Sequence, residues 1–158
     1  YFHASADFYM PDIPDSPTSE DVAEALKLIE EVFVDFPFVD DGNDDKGASK
    51  ANTLAALFTA VLRPNIKGMV PCFLTDKPLR GTGASLLQRV IGVIATGIEP
   101  PTMVLPKTEE EWEKKVFSIL RSGKTIEIID NVSGSFSSDV FCSILTSPYP
   151  SNRILGQS

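Results

Sequence analysis

The sequence predicts an α/β fold in which a parallel sheet is flanked by helices and preceded by a helical N-terminal segment. Short apolar runs alternate with amphipathic runs of helical period along the second part of the chain. The apolar runs are nearly continuous, as in strands buried on both faces. The chain has 158 residues, 42% hydrophobic and 23% charged, which suits one globular domain with a core.

Residues 1–66 are predicted to form an acidic arm followed by two helices. The arm, residues 1–17, contains the run PDIPDSP, whose prolines keep the backbone extended. Thr18 then caps the first helix, with Asp21 as its capping-box partner. Pro37 marks the end of this helix, which is amphipathic.

Residues 39–47 are polar and rich in turn residues, so we expect an exposed loop before a second helix over residues 48–63. Clustered aspartates make a Ca²⁺ loop an alternative. Starting from Asp40, however, the positions that require glycine and glutamate hold Asp45 and Ala51. The exposed loop is therefore the prediction.

Residues 67–158 are predicted to form the α/β core, which begins with a strand, a turn and a helix. The strand is the apolar run 69–74, and the glycine-containing turn covers residues 76–83. The helix spans residues 85–96, with Gly97 as its C-cap.

The remaining core elements continue the alternation. A second strand is expected at residues 102–105, and a helix with an acidic first turn between Thr108 and Gly123. A third strand covers residues 125–129, with Asp130 at its carboxyl end. A short helix over about residues 137–145 precedes a proline-interrupted segment.

Charge is distributed unevenly along the chain. Residues 1–45 hold 13 of the 22 acidic side chains and 1 of the 14 basic ones, so this segment has a net charge of −12 and residues 46–158 one of +4. The second part could meet phosphate while the first faces solvent or a partner; a solvated acidic helix and loop is the alternative. The pI near 4.6 argues against a non-specific DNA binder.

The titratable and sulfur-containing residues exclude several classes of chemistry. His3 is the sole histidine, which excludes most Ser-His-Asp, Cys-His and His-ligated metal sites. Cys72 and Cys142 are predicted to be buried, reduced thiols of a cytoplasmic protein. Neither a membrane-spanning run nor a secretory signal is found, so no membrane partner is expected.

Two features fall where ligands bind in a parallel sheet, at the carboxyl ends of strands. The turn KPLRGTGAS, residues 77–85, follows the first strand, and Asp130 with Asn131 follows the third. A glycine-rich turn that leads into a helix presents backbone N–H groups beside the positive end of the helix dipole. Phosphate is the expected ligand of such a turn.

The run FLTDKPLRGTGASLLQRVIGVIATG, residues 73–97, resembles the Walker A segment of P-loop ATPases. Within that group it is similar to the AAA+-like ATPase domain of phage- and plasmid-type DNA replication proteins of the primase and helicase kind. The resemblance extends over about residues 17–158. It also rests on the segments DFPF (35–38), Arg63-Pro64, PCFL (71–74), the IEIIDN run (126–131) and NRILG (152–156).

The resemblance implies Mg²⁺ and ATP as cofactors, with the nucleotide bound by Arg80, Gly81, Thr82, Gly83, Ala84, Ser85 and Leu86. Ser85 and Asp130 would hold Mg²⁺, and Asp130 and Asn131 would be the catalytic pair. Arg153 could contact a neighbouring subunit's nucleotide or be an ordinary surface arginine. Lys77 and Arg80 could neutralise phosphates or be solvated. The intact protein would form a ring of identical subunits around single-stranded DNA.

The sequence departs from the P-loop pattern at three positions. Pro78 replaces a glycine, and Ala84 replaces the lysine that reaches the β- and γ-phosphates. Asn131 stands where many such ATPases carry a glutamate, and asparagine is no general base at neutral pH. Hydrolysis is therefore expected to be absent or very weak, which leaves open whether this chain is an enzyme.

Three explanations of Ala84 remain open: an engineered substitution, natural loss in a non-hydrolysing paralogue, or a plain turn that resembles a P-loop by chance. Retention of Ser85 and Asp130 argues against the last.

Two functions follow from these observations. The first is an ATP-binding domain of a mobile-element DNA replication protein, and the alternative is a catalytically silent scaffold whose acidic segment binds a partner. Since the resemblance predicts further strands after residue 158, we also expect the chain to be an incomplete domain within a larger protein.

Overall fold

The structure is a computed structural model that describes residues 12–39, 47–77, 79 and 81–147. Several predictions lie outside these residues: most of the acidic arm, the possible Ca²⁺ loop from Asp40 to Asp45, and the side chains of His3, Pro78, Arg80 and Arg153. The chain divides into two compact units, Tyr1–Phe36 and Pro37–Ser158. The domain boundary predicted between residues 66 and 67 stays a prediction.

The first unit contains helix α1, Ser19–Phe33. The predicted cap is confirmed, because Thr18 Oγ1 accepts a hydrogen bond from the Asp21 amide at 3.2 Å while an Asp21 carboxylate oxygen accepts from the Thr18 amide at 2.8 Å. This reciprocal pair satisfies two backbone donors that the helix leaves free. The rings of Phe33 and Phe36 lie 6.2 Å apart just after the last turn.

The second unit alternates helices with two strands. Its helices are α2 (Ala48–Leu62), α3 (Ala84–Thr96), α4 (Glu109–Ser122) and α5 (Asp139–Thr146), and a 3₁₀ turn, Arg63–Asn65, follows α2. Pro64 explains that ending, because proline cannot continue the helical hydrogen-bond pattern. Helix α2 packs against α3, and α4 packs against α5.

Strands β1 (Thr102–Val104) and β2 (Ile128–Asp130) form a parallel sheet. Met103 lies opposite Ile129 and Val104 opposite Asp130. Helix α4 connects the two strands, which is the crossover that a parallel pair requires. The predicted mixture of helices with parallel strands is confirmed at this level.

The strand predicted at residues 69–74 is not formed. This segment is extended but has no strand partner among the described residues, and Leu74 is 85% exposed. Pro71 in its middle lacks the N–H that a central strand donates to its neighbour. The described sheet therefore has two strands rather than about three.

The core of the second unit lies between the sheet, α4 and α5. Met103, Trp112 and Val116 are buried, and partly buried apolar side chains surround them. The Trp112 ring lies 5.3 Å from that of Phe136 and 5.1 Å from that of Phe141. This aromatic cluster joins α4, the loop after β2, and α5, and Ile129 of β2 packs against it.

Gly92 allows α3 to approach the segment that leads into β1. A Cβ atom at this position would overlap the ring of Pro100, and Gly92 is buried in the middle of α3. Any residue with a Cβ atom at this position would clash with the proline ring. The close contact places α3 beside the strands whose ends carry the candidate site.

Both cysteines are exposed and free, so the prediction that they are buried is wrong. Cys72 lies in the extended segment that the sheet does not include, which removes the expected burial. Cys142 lies on an exposed position of α5.

No helix within the described ranges is both long and apolar enough to cross a bilayer.

The carboxylate of Glu109 connects the first turns of α4 and α5. It accepts hydrogen bonds from Ser138 Oγ at 3.1 Å and from the amides of Asp139 and Val140 at 3.3 and 3.1 Å. The negative charge also lies at the positive end of the α5 dipole. We expect Glu109→Ala to lower the free energy of unfolding by about 1–2 kcal/mol, measured by urea denaturation.

Glu113→Ala on the same helix is the matched control for Glu109→Ala. It makes the same change of side chain and charge without removing a hydrogen bond described between α4 and α5. Equal destabilisation by the two variants would show that Glu109 contributes helix propensity rather than a link between helices.

Candidate functional site

The turn before α3 depends on two glycines. Gly81 has φ of 84° and Gly83, the N-cap of α3, has φ of 88°. These left-handed conformations are strained for residues with a Cβ atom. Between them, Thr82 Oγ1 donates to the Leu79 carbonyl at 3.2 Å, which closes the turn on itself.

The first turn of α3 has free backbone donors. The first intrahelical bond runs from the Leu87 amide to the Gly83 carbonyl at 2.8 Å, and no described side chain caps the helix start. The amides of residues 84–86 therefore point out of the helix without an intrahelical partner. Such amides, at the positive end of a helix dipole, bind anions.

Ser85, in this first turn, contacts the end of β2. Its Oγ lies 3.1 Å from Asp130 Oδ1 and 3.0 Å from Asp130 Oδ2, although the two residues are 45 positions apart. Both side chains are half-buried. The fold therefore brings a hydroxyl and a carboxylate together at the carboxyl end of the sheet.

Asp130 is held in its ionised form. The Asn131 amide donates to its Oδ1 at 2.7 Å, and together with the Ser85 hydroxyl and the charges of Lys77 and Arg89 this lowers the pKa of Asp130 below its usual value. The folded-state pKa is depressed, so the carboxylate keeps its charge at neutral pH and loses it only when the pH falls below the usual aspartate range. Asn131 adopts φ of 57°, which turns the chain away directly after the strand.

Two cations lie near the Asp130 carboxylate. Lys77 precedes the turn and is half-buried, and its own amide donates to Asp76 Oδ1 at 2.8 Å. Arg89 lies one turn after Ser85 on α3, and its Nε is 3.3 Å from a Glu99 carboxylate oxygen. Arg89 thus already has an acidic partner.

The donor set suits Mg²⁺. A hydroxyl and a carboxylate are hard oxygen ligands, and Mg²⁺ typically takes one or two protein ligands, with phosphate oxygens and waters completing its octahedron. Within the described residues no group of three or more His, Cys, Asp and Glu side chains is placed to hold a metal. Ser85 and Asp130 supply two oxygen ligands of this kind.

The structure brings together most of the site residues predicted from the sequence. The segment from Gly81 to Leu86 forms the turn and the helix start, and Asp130 and Asn131 lie beside it. Ala84 is the first residue of α3 and adds only a methyl group. Arg80 and Arg153 lie outside the described residues. Arg89 was not predicted from the sequence, although its spacing of one helical turn from Ser85 was the available signal.

A shallow cleft of 460 Å³ opens at the carboxyl end of β1. Val104, which is in register with Asp130, belongs to its wall, so the cleft and the Ser85–Asp130 pair lie at the same end of the sheet. Neither Ser85 nor Asp130 lines it. The other lining residues are Leu105, Pro106, Lys107, Glu111 and Lys115.

Comparison with known proteins gives no match: the chain matches no family model, no curated protein and no solved structure. The resemblance to P-loop ATPases therefore stays a prediction, and the function has to be inferred from the side chains that meet at the end of β2.

Proposed function

We propose that this chain is a nucleotide-binding domain that takes Mg²⁺-ATP at the first turn of α3. The contact between Ser85 and Asp130 is the observation that carries the proposal. A hydroxyl at a helix start and a carboxylate at the end of a parallel strand are the two protein groups that hold the magnesium of a bound nucleotide in P-loop proteins.

Each part of the site has a separate role in this proposal. The turn from Gly81 to Gly83 lets the backbone approach the phosphates, and the free amides of residues 84–86 hydrogen-bond to them. Ser85 and Asp130 hold Mg²⁺, which neutralises phosphate charge when bound. Asp130 is suited to this because its pKa is lowered and it is ionised at neutral pH.

Hydrolysis by this chain is expected to be absent or very weak. Ala84 cannot contact the β- and γ-phosphates as a lysine does, so charge that develops during phosphoryl transfer is less well stabilised. Asn131 can orient a water molecule by hydrogen bonding but cannot accept its proton at neutral pH. Binding without turnover is the activity that these residues support.

The biological setting that we propose is a phage- or plasmid-type DNA replication protein. Support comes from the resemblance of the segments around Gly81–Leu86, Asp130–Asn131 and residues 152–156, and from the net positive charge of residues 46–158. In that setting the intact protein would assemble as a ring and move single-stranded DNA.

A catalytically silent scaffold is the second candidate function. Exposed apolar side chains on α1, at Val22, Leu26 and Val32, favour it, since they alternate with acidic residues on a helix that could bind another protein. This candidate requires no nucleotide. It therefore predicts that Mg²⁺-ATP leaves the protein unchanged.

Calorimetric titration with Mg²⁺-ATP tests the proposal on the chain and on two variants. We expect the parent to bind, and Ser85→Ala and Asp130→Asn each to weaken Mg²⁺-dependent affinity by about 10-fold or more, because each removes a ligand of the ion. Titration of ATP in EDTA measures the part of the affinity that does not depend on the metal. Ser143→Ala, a serine-to-alanine change at an exposed position of α5, is the matched control.

Two results would contradict nucleotide binding at this site. One is a parent protein that is folded by circular dichroism yet shows no heat with millimolar Mg²⁺-ATP. The other is binding that both Ser85→Ala and Asp130→Asn leave unchanged, which would place the nucleotide elsewhere.

A further inference from the structure

We propose that Asn131 is a positioning residue whose main chain orients the carboxylate of Asp130. Its left-handed backbone holds its own amide on one carboxylate oxygen, which leaves the other oxygen open to Mg²⁺. This inference rests on the proposed nucleotide site and deepens it, because it names the group that aims the metal ligand. It assigns the role of Asn131 to the backbone instead of the side-chain amide.

The place of Asn131 in the sheet leaves its amide available to the carboxylate. The Ile128 amide donates to the Pro101 carbonyl at 3.0 Å, so this amide faces β1. Backbone amides alternate between the two edges of a strand, so the amide of residue 131 faces the other edge of β2. No strand pairs with that edge within the described residues. The acceptor of this amide is Asp130 Oδ1, at 2.7 Å.

The two carboxylate oxygens of Asp130 are held differently. Oδ1 accepts from the Asn131 amide at 2.7 Å and lies 3.1 Å from the Ser85 hydroxyl, whereas Oδ2 has only that hydroxyl, at 3.0 Å, as a donor in the described part of the chain. A hydroxyl hydrogen can rotate away, but a backbone amide cannot. The amide therefore fixes the carboxylate while Oδ2 can turn to a cation. Groups that orient a metal ligand in this way typically contribute about 10- to 100-fold to metal affinity.

Asparagine suits the backbone conformation at this position. Among the described residues other than glycine, only Asn131 has a positive φ, 57°. Asparagine enters this left-handed region more readily than most residues with a Cβ atom, and β-branched residues are outliers there. The Asn131 side chain is exposed and makes no hydrogen bond with a residue that the structure describes. Its contribution in this structure is therefore the turn that it permits directly after Asp130.

A role for the side-chain amide makes a different prediction. If that amide contacted a phosphate or held a water molecule beside it, glycine at position 131 would lose the contact and would weaken nucleotide binding. If the backbone is what matters, glycine adopts the same left-handed conformation without strain and keeps the amide on Asp130. A β-branched residue favours extended backbone, which would carry the chain onward along the strand and move the amide away from the carboxylate.

The experiment is calorimetric titration of Mg²⁺-ATP, and of ATP in EDTA, into the parent, Asn131→Gly and Asn131→Val. We expect Asn131→Gly to keep the affinity of the parent for Mg²⁺-ATP and Asn131→Val to weaken it by about 10-fold or more. The affinity for ATP in EDTA should be the same in all three proteins, because the amides at the start of α3 are unchanged. Circular dichroism checks that each variant is folded.

Ser133→Gly and Ser133→Val are the matched controls. Ser133 is exposed in the same loop two residues further on, its φ is not positive, and its side chain makes no hydrogen bond with a described residue. The same pair of substitutions should therefore leave the affinity for Mg²⁺-ATP unchanged. An equal loss in Ser133→Val and Asn131→Val would show a general effect of valine in this loop and would overturn the inference.

The remaining outcomes separate this inference from the nucleotide site itself. Weaker Mg²⁺-ATP binding by Asn131→Gly would assign the role to the side chain and overturn the inference. Unchanged binding by folded Asn131→Val, with Asp130→Asn still weakening it, would also overturn the inference and would leave the site standing. A loss in Asn131→Val that is equally large in EDTA would contradict a role through the metal ligand. A folded parent that binds no nucleotide would overturn both proposals.

Discussion

Ala84→Lys is expected to strengthen Mg²⁺-ATP binding by about 10- to 100-fold and to make phosphate release measurable. A lysine at the first position of α3 follows Gly83 directly and can extend towards phosphates held by the amides of residues 84–86. A charge-assisted contact of this kind corresponds to about 1.5–3 kcal/mol, which gives the stated range. Calorimetry and a phosphate-release assay on the same samples measure the two effects.

Val93→Lys is the matched control for Ala84→Lys. It adds the same charge to the same helix at an exposed position about 13 Å further along, which is beyond the screening length at physiological salt. Affinity gained equally by both variants would mean that net charge, rather than a specific contact, attracts the nucleotide. If the folded parent and the folded Ala84→Lys variant both fail to bind Mg²⁺-ATP, the alanine at position 84 does not explain the lack of binding. The scaffold would then be the better-supported function.

The ends of the helices could be predicted from the sequence because their signals are local. Each of these signals acts through a hydrogen bond between residues within four positions of one another. Examples are Thr18 with Asp21, Thr108 before three glutamates, and Gly123 after the last apolar residue of α4. The Thr108 hydroxyl accepts from the Glu111 amide at 3.2 Å, as its position predicts. These features need no knowledge of the tertiary fold.

The segment 69–74 could not be predicted in this way. An apolar run is compatible with a buried strand, but a strand forms only when another strand offers it hydrogen-bond partners. In the structure β1 pairs with β2, and the run that ends at Leu74 lies outside their sheet. The burial of Cys72 was predicted from that strand, so this prediction was wrong for the same reason.

The candidate site could be predicted from the sequence only in part. Sequence spacing indicated that Ser85 and Asp130 would both lie at the carboxyl end of a parallel sheet, and the structure places their side chains in contact. The charges of Lys77 and Arg89 on Asp130 depend on how the turn and α3 pack beside β2. Lys77 lies in the turn itself and was considered from the sequence, whereas Arg89 lies outside the motif and was recognised only in the folded structure.

Trp112→Ala is expected to lower the free energy of unfolding of the second unit by about 3–5 kcal/mol. Trp112 is 3% exposed and its ring contacts Phe136 and Phe141, so truncation leaves a cavity at the centre of the core. That loss is a large part of the 5–15 kcal/mol typical of a folded domain. Since Trp112 is the sole tryptophan, urea unfolding should be followed by circular dichroism.

Leu120→Ala on the same helix is the matched control, because Leu120 is 48% exposed and its truncation should cost less than about 1 kcal/mol. Similar losses for the two variants would mean that the aromatic cluster is not the core of this unit. The cluster also packs against Ile129 of β2, so Trp112→Ala should weaken Mg²⁺-ATP binding. If Trp112→Ala is less stable but binds nucleotide with unchanged affinity, the Ser85–Asp130 contact depends on α3 and β2 alone.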